Sequence, residues 1–170
     1  MKELLAFILV VFSLCSSIFP EDQGRAESQV AEKIVSFARR SMAKRVGNGE
    51  CWTLADEALK YAGARRPHEF GEGIYVFGRR LLEDELVKPG DIVQMYSARF
   101  VHKTGPRSWS YAETGEKHTA IVASVDGDTI TVYHQNWSGH RTVSQWSFRP
   151  SEKTAGTVEF YRPEPGSANH

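Results

Sequence analysis

The sequence predicts an α+β domain in which two helices precede an antiparallel sheet. Two segments ahead of Gly63 carry apolar residues at helical spacing. Short β-branched and aromatic runs, separated by turn signals, fill most of the remainder. Helices first and strands afterwards, rather than in alternation, indicate an α+β arrangement and not a parallel sheet.

The chain opens with Met1-Lys2-Glu3 and the apolar run LLAFILVVFSL, residues 4–14. That run falls short of the about 20 apolar residues a membrane-spanning helix needs. A basic residue before a short apolar core reads as a signal peptide. Residues 1–26 are therefore expected to be removed, with cleavage after Ala26 where Gly24 and Ala26 supply small residues, or earlier near Ser16-Ser17. Cys15 raises a lipoprotein reading, but Phe12-Ser13-Leu14 lacks the small residue expected beside a lipidated cysteine. The expected location is secreted or periplasmic, with membrane contact only if this segment is retained or lipidated.

Residues 27–162 then form one ordinary domain with a single core. The first helix is expected over 28–45, with Ser28 as N-cap and Val30, Ile34, Phe37 and Met42 on its apolar face. The second runs from Cys51 to about Tyr61, burying Leu54, Ala55, Ala58, Leu59 and Ala62, and ends at Gly63. Lys88-Pro89-Gly90-Asp91 is a turn before a strand over 92–96. His118–Val125 and Thr129–His134 are expected to pair through an Asp126-Gly127-Asp128 hairpin turn. Val143, Trp146 and Phe148 mark a further strand, and Thr157–Tyr161 the last. Residues 163–170 read as a disordered tail.

Basic and acidic residues balance at 21 each, which is not the footprint of a nucleic-acid binder. A monomer is expected. Once the signal segment is removed, Cys51 is the single cysteine, so no internal disulfide can form. It follows the glycine-rich Gly47-Asn48-Gly49-Glu50 and opens a helix, whose unpaired N–H groups and partial positive charge favour a thiolate. A cysteine nucleophile needs a base, and the base an orienting partner. Of the six histidines, His118 begins an apolar strand, where its side chain can face a cleft. His134 ends the returning hairpin strand and should lie beside it, although periodicity does not fix whether the two share a face. No histidine spacing matches a compact zinc signature, so neither metal nor cofactor is expected. The segment 103–117 carries Trp109 and Tyr111 and is expected to be a loop forming a substrate-facing lip.

Four segments in order resemble the papain-like cysteine- and histidine-dependent amidohydrolase/peptidase (CHAP) family and its NlpC-type relatives. They are Gly49-Glu50-Cys51-Trp52, Lys88–Val93, His118-Thr119-Ala120-Ile121-Val122 and Val132-Tyr133-His134-Gln135-Asn136-Trp137. The resemblance covers roughly residues 30–160. It implies a papain-like fold, Cys51 as nucleophile, His118 as base, the Cys51 N–H as an oxyanion donor, and a third catalytic group at His134, Gln135 or Asn136. It implies no cofactor and a secreted cysteine amidase or endopeptidase cleaving peptidoglycan peptides through a thioester. The sequence departs from the CHAP pattern where His134 replaces the usual glutamate. That departure supports an alternative, a fold-retaining protein without catalysis; a wall-targeting effector toxin is a further one.

Overall fold

The computed structural model describes residues 20–166 and is an α+β domain in which two helices pack on an antiparallel sheet. Helix α1 spans Pro20–Arg40 and α2 spans Cys51–Ala62. Helix α1 starts ahead of the expected Ser28 cap, with Pro20 at its first position, where proline is tolerated, and with Glu21, Gln23, Arg25, Ala26 and Glu27 favouring helix despite Gly24. It includes Ala26, whereas the apolar run expected to be a signal core lies outside the described residues. No helix among the described residues is long and apolar enough to cross a membrane. Val30, Ile34 and Ala38, four residues apart, make the buried stripe of α1. Leu54, Ala55, Ala58, Leu59 and Ala62 do the same for α2. Gly63 ends α2 at a φ of 71°, its N–H bonded to Lys60 O.

Among the described residues seven strands form one sheet: β1 (Arg79–Arg80), β2 (Ile92–Gly105), β3 (Ser108–Glu113), β4 (His118–Asp126), β5 (Thr129–His134), β6 (Ser144–Phe148) and β7 (Lys153–Arg162). Their order is β1-β7-β2-β4-β5-β6, with β3 paired to β2 off this path. Side chains alternate between the two faces. Ile92, Ile121, Tyr133 and Tyr161 pack with the helices around Ile34, Leu54, Leu59 and Phe77. Val93, Met95, Ala120, Val122, Ile130, Val132 and Phe148 build a second core on the opposite face. Each fully buried aliphatic or aromatic side chain contributes about 1.5–3 kcal/mol.

Three features differ from the sequence expectations. The segment expected as a loop over 103–117 is mostly a hairpin, in which β2 continues to Gly105 and pairs with β3 from Arg99↔Glu113 to Gly105↔Ser108. The expected tail is partly anchored: Pro165 bridges to Ala64, Glu164 pairs with Arg65 at 2.8 Å, and Gly166 N–H bonds Gly63 O. Residues 167–170 lie outside the described residues.

The third feature is the register of β4 and β5. Near the turn, Asp126↔Thr129 and Ser124↔Thr131 are paired. Past Ala123 the register shifts by one, and Val122↔Val132 and Ile121↔Tyr133 are paired instead. An unbroken register would set Ile121 opposite His134 and turn His118 to the other face. The bulge reverses that parity, because a one-residue slip exchanges faces. His118 and His134 thereby share the face of Ala120, Val122 and Val132.

Candidate active site

Cys51 is the first residue of α2, and the turn before it is built by short polar contacts. Glu50 N–H bonds Asn48 Oδ1 at 2.9 Å, and Thr53 Oγ1 donates to Glu50 O at 2.7 Å. Gly49 sits at a φ of 85°, where a Cβ would lie 2.9 Å from Arg45 Nε and 3.0 Å from Arg141 Cβ. Only glycine meets both demands there.

Gln135, just past the end of β5, holds this turn from the sheet. Its fully buried amide accepts from Val46 N–H at 3.1 Å, and the two hydrogens of its Nε2 are shared among Glu50 O, Val46 O and Thr53 Oγ1 at 2.7, 3.0 and 3.2 Å. It therefore fixes the turn before Cys51 and does not face His118. Asn136, the other expected candidate for the third group, donates from Nδ2 to Glu50 Oε2 at 2.7 Å, and Arg141 Nη2 reaches the other Glu50 oxygen at 2.9 Å. Its side-chain bond is thus to Glu50, on the Cys51 side.

His134 is the group that meets His118. His118 Nε2 lies 3.0 Å from His134 Nδ1, and His134 Nε2 lies 3.1 Å from Ser144 Oγ. The Trp137 ring packs edge-on against both imidazoles, with centroids at 4.9 and 5.2 Å. Both histidines are only 3% exposed. Burial, with a smaller contribution from His134, lowers the His118 pKa to about 3. Burial lowers that of His134 to about 4. Both rings are thus neutral near pH 7, since burial disfavours the charged form. With His118 Nε2 engaged, Nδ1 is the nitrogen left to take a proton.

Cys51 and His118 line one cleft of about 490 Å³. Trp52, Tyr75 and Trp137 give it aromatic walls, and Glu50, Glu113, Lys117 and Asn136 polar ones. Among the described residues no hydrogen bond joins Cys51 Sγ to His118. The Tyr75 pKa is raised by burial first, then by its electrostatic interaction with Cys51, Glu116 and Glu50. Its phenol therefore stays an O–H donor. Tyr75 sits in the long segment before β1, which has no periodicity to draw attention to it. From the expected lip, Glu113, Gly115 and Lys117 line the cleft. Trp109 does not; it stands 66% exposed on β3.

This arrangement can support attack of a thiol on a carbonyl. Cys51 supplies the sulfur, His118 a neutral base, and the first turn of α2 an unpaired N–H.

A sequence model of the family described as "AIM3/BBC1 Cysteine proteinase-fold domain" matches residues 21–168. Altered inheritance of mitochondria protein 3 of the yeast Debaryomyces hansenii is 29% identical over 156 residues, 82% of this chain but 16% of that protein. The chain thus spans about a sixth of that relative. The crystal structure of Ly7917 superposes with a TM-score of 0.51 at 20% identity, over 78% of this chain and 62% of that one. These findings agree on a papain-like cysteine proteinase fold and do not single out its CHAP or NlpC branch. They overturn the expectation of an enzyme that hydrolyses peptidoglycan, and with it the wall-directed readings. The matching family and curated relative are a proteinase-fold domain and a yeast protein named for mitochondrial inheritance, not wall hydrolases.

Proposed function

This chain belongs to the AIM3/BBC1 cysteine proteinase-fold domain family, and from that premise we propose that it is a cysteine-dependent hydrolase of amide or related acyl bonds. The observation that carries the reading is the shared cleft: Cys51 at a helix start, and His118 backed by His134 at 3.0 Å. Cys51 Sγ attacks the carbonyl carbon while its proton passes to His118 Nδ1. The Cys51 N–H and the Tyr75 hydroxyl bind the oxyanion, a class of interaction in which one donor is worth about 10²–10³ in rate. Collapse expels the amine, which takes a proton from His118, and leaves a thioester on Cys51. Water, deprotonated by His118, then releases the acid.

A second reading is a fold-retaining domain without catalysis. Its support is the absence, among the described residues, of a hydrogen bond between Cys51 and His118, and of a carboxylate at the third position. Catalytic hydrogen bonds are commonly long before substrate arrives, so the geometry is compatible with both readings.

Iodoacetamide distinguishes them. A catalytic Cys51 is alkylated at pH 7 at least about tenfold faster than glutathione, because the thiolate is the reacting species. His118→Ala removes that advantage. Release of p-nitrophenolate from p-nitrophenyl acetate shows a burst that Cys51→Ala abolishes. Labelling no faster than glutathione, with hydrolysis unchanged in Cys51→Ala, would establish the non-catalytic domain.

A further inference from the structure

The mechanism above leaves Ser144 without a role, although it completes a line of three polar side chains running away from the cleft. Ser144 is the cross-strand partner of His134 on β6 and is exposed. His118 and His134 are buried, and the groups packed on them, Trp137 and Trp146, carry no charge.

We propose that His118, His134 and Ser144 form a proton relay connecting the Cys51 thiol to solvent at strand β6. The proposal rests on the reading of Cys51 as nucleophile. The two contacts, 3.0 and 3.1 Å, fix one productive arrangement. His118 Nδ1 is bare and its Nε2–H donates to His134 Nδ1. His134 Nε2–H donates to Ser144 Oγ, whose own hydroxyl proton points to water. The opposite arrangement, with Ser144 donating to His134, would put a hydrogen on His118 Nδ1 and leave no base facing the sulfur.

The transfer balances at every atom. The Sγ–H bond breaks and its proton bonds His118 Nδ1. The His118 Nε2 proton moves to His134 Nδ1, and the His134 Nε2 proton moves to Ser144 Oγ. Ser144 releases its hydroxyl proton to water. A thiolate remains, and both imidazoles end neutral in their other tautomers. The reverse shift draws a proton in from solvent and delivers it from His118 Nδ1 to the leaving group. No buried imidazolium has to persist, which suits a pair whose charged forms burial disfavours. The relay thus takes the place of the missing carboxylate, which would otherwise stabilise an imidazolium.

The test is the acylation rate of Cys51 by p-nitrophenyl acetate, followed in mixtures of H₂O and D₂O. The wild type is expected to show a bowed dependence on deuterium fraction, reporting more than one proton in flight. Ser144→Ala should slow acylation about tenfold, a modest part of the 10²–10⁴ that general acid–base catalysis supplies, and straighten the plot. Ser144→Thr should restore both rate and curvature. His134→Asn, which can accept from His118 but cannot pass a proton on, should behave like Ser144→Ala. A Ser144→Ala enzyme with wild-type rate and curvature overturns the relay. So does one that is slower but equally bowed, which would give Ser144 an orienting role alone. A wild type without any acylation burst overturns the nucleophile reading beneath it, and the relay falls with it; the two failures are therefore distinct.

Discussion

Among individual residues, Gln135 has the most consequential position after Cys51 itself. Its amide joins the end of β5 to the turn that presents Cys51, and it is fully buried. Truncation in Gln135→Ala would leave Val46 N–H, Val46 O and Glu50 O without this partner. A buried polar group left unpaired costs about 1–3 kcal/mol. The expected outcome is a melting temperature lower by at least several degrees and slower alkylation of Cys51. Gln135→Glu keeps an acceptor for Val46 N–H, loses the donor, and should not rescue either property. Calorimetry and labelling kinetics check this; wild-type values for both in Gln135→Ala would refute the role. Cys51 stands out in the sequence because a lone cysteine after paired glycines has few other local explanations, and His118 because it opens an apolar strand. Gln135 and Tyr75 carry no comparable signal. Gln135 acts on a residue 85 positions away, and Tyr75 acts through the walls of a cleft that exists only after folding.

The elements show a similar division. The helices and most strands are legible because their apolar periodicity is imposed by burial on one face. The β2–β3 hairpin is not, since β3 is exposed along nearly its whole length and so has no need to alternate. Its exposed Trp109 suggested a lip to the cleft, but the cleft takes its wall from residues further along the chain. The bulge at Ala123 is invisible in the sequence for a different reason: counting back from the Asp126-Gly127 turn gives proximity, while the shared face depends on one extra residue. Deleting Ala123 removes the unpaired residue itself, so β4 and β5 should pair in a single register with Val122 still opposite Val132 and His118 still on the face of His134. The expected variant folds cooperatively and keeps the rapid, His118-dependent alkylation of Cys51. A cooperatively folded deletion variant that loses that labelling would show that His118 has left the face of His134 and that the pairing beyond the bulge is not held as described.

For the whole molecule, the buried imidazole pair ties stability to pH. An imidazole in an unfolded chain titrates near 6.5, whereas His118 and His134 titrate at about 3 and about 4 in the fold. Between those values the unfolded chain binds more protons than the folded one. Unfolding free energy therefore rises with pH across that window and is lost as the solution is acidified from about 6.5 toward 4. Carboxylates held in ion pairs, such as Glu85 with Arg79, lowered to about 2, add a loss of the same sign at lower pH. The two contributions separate by substitution. Replacing both histidines with glutamine removes the imidazole part, so the double variant should lose less melting temperature between pH 7 and pH 4.5 than the wild type. Scanning calorimetry at those two pH values, in buffers of matched ionic strength, measures the difference. Equal losses in the two proteins would mean that the pair takes up its protons without opposing the fold, and the same result would remove the reason for a relay that avoids a buried imidazolium.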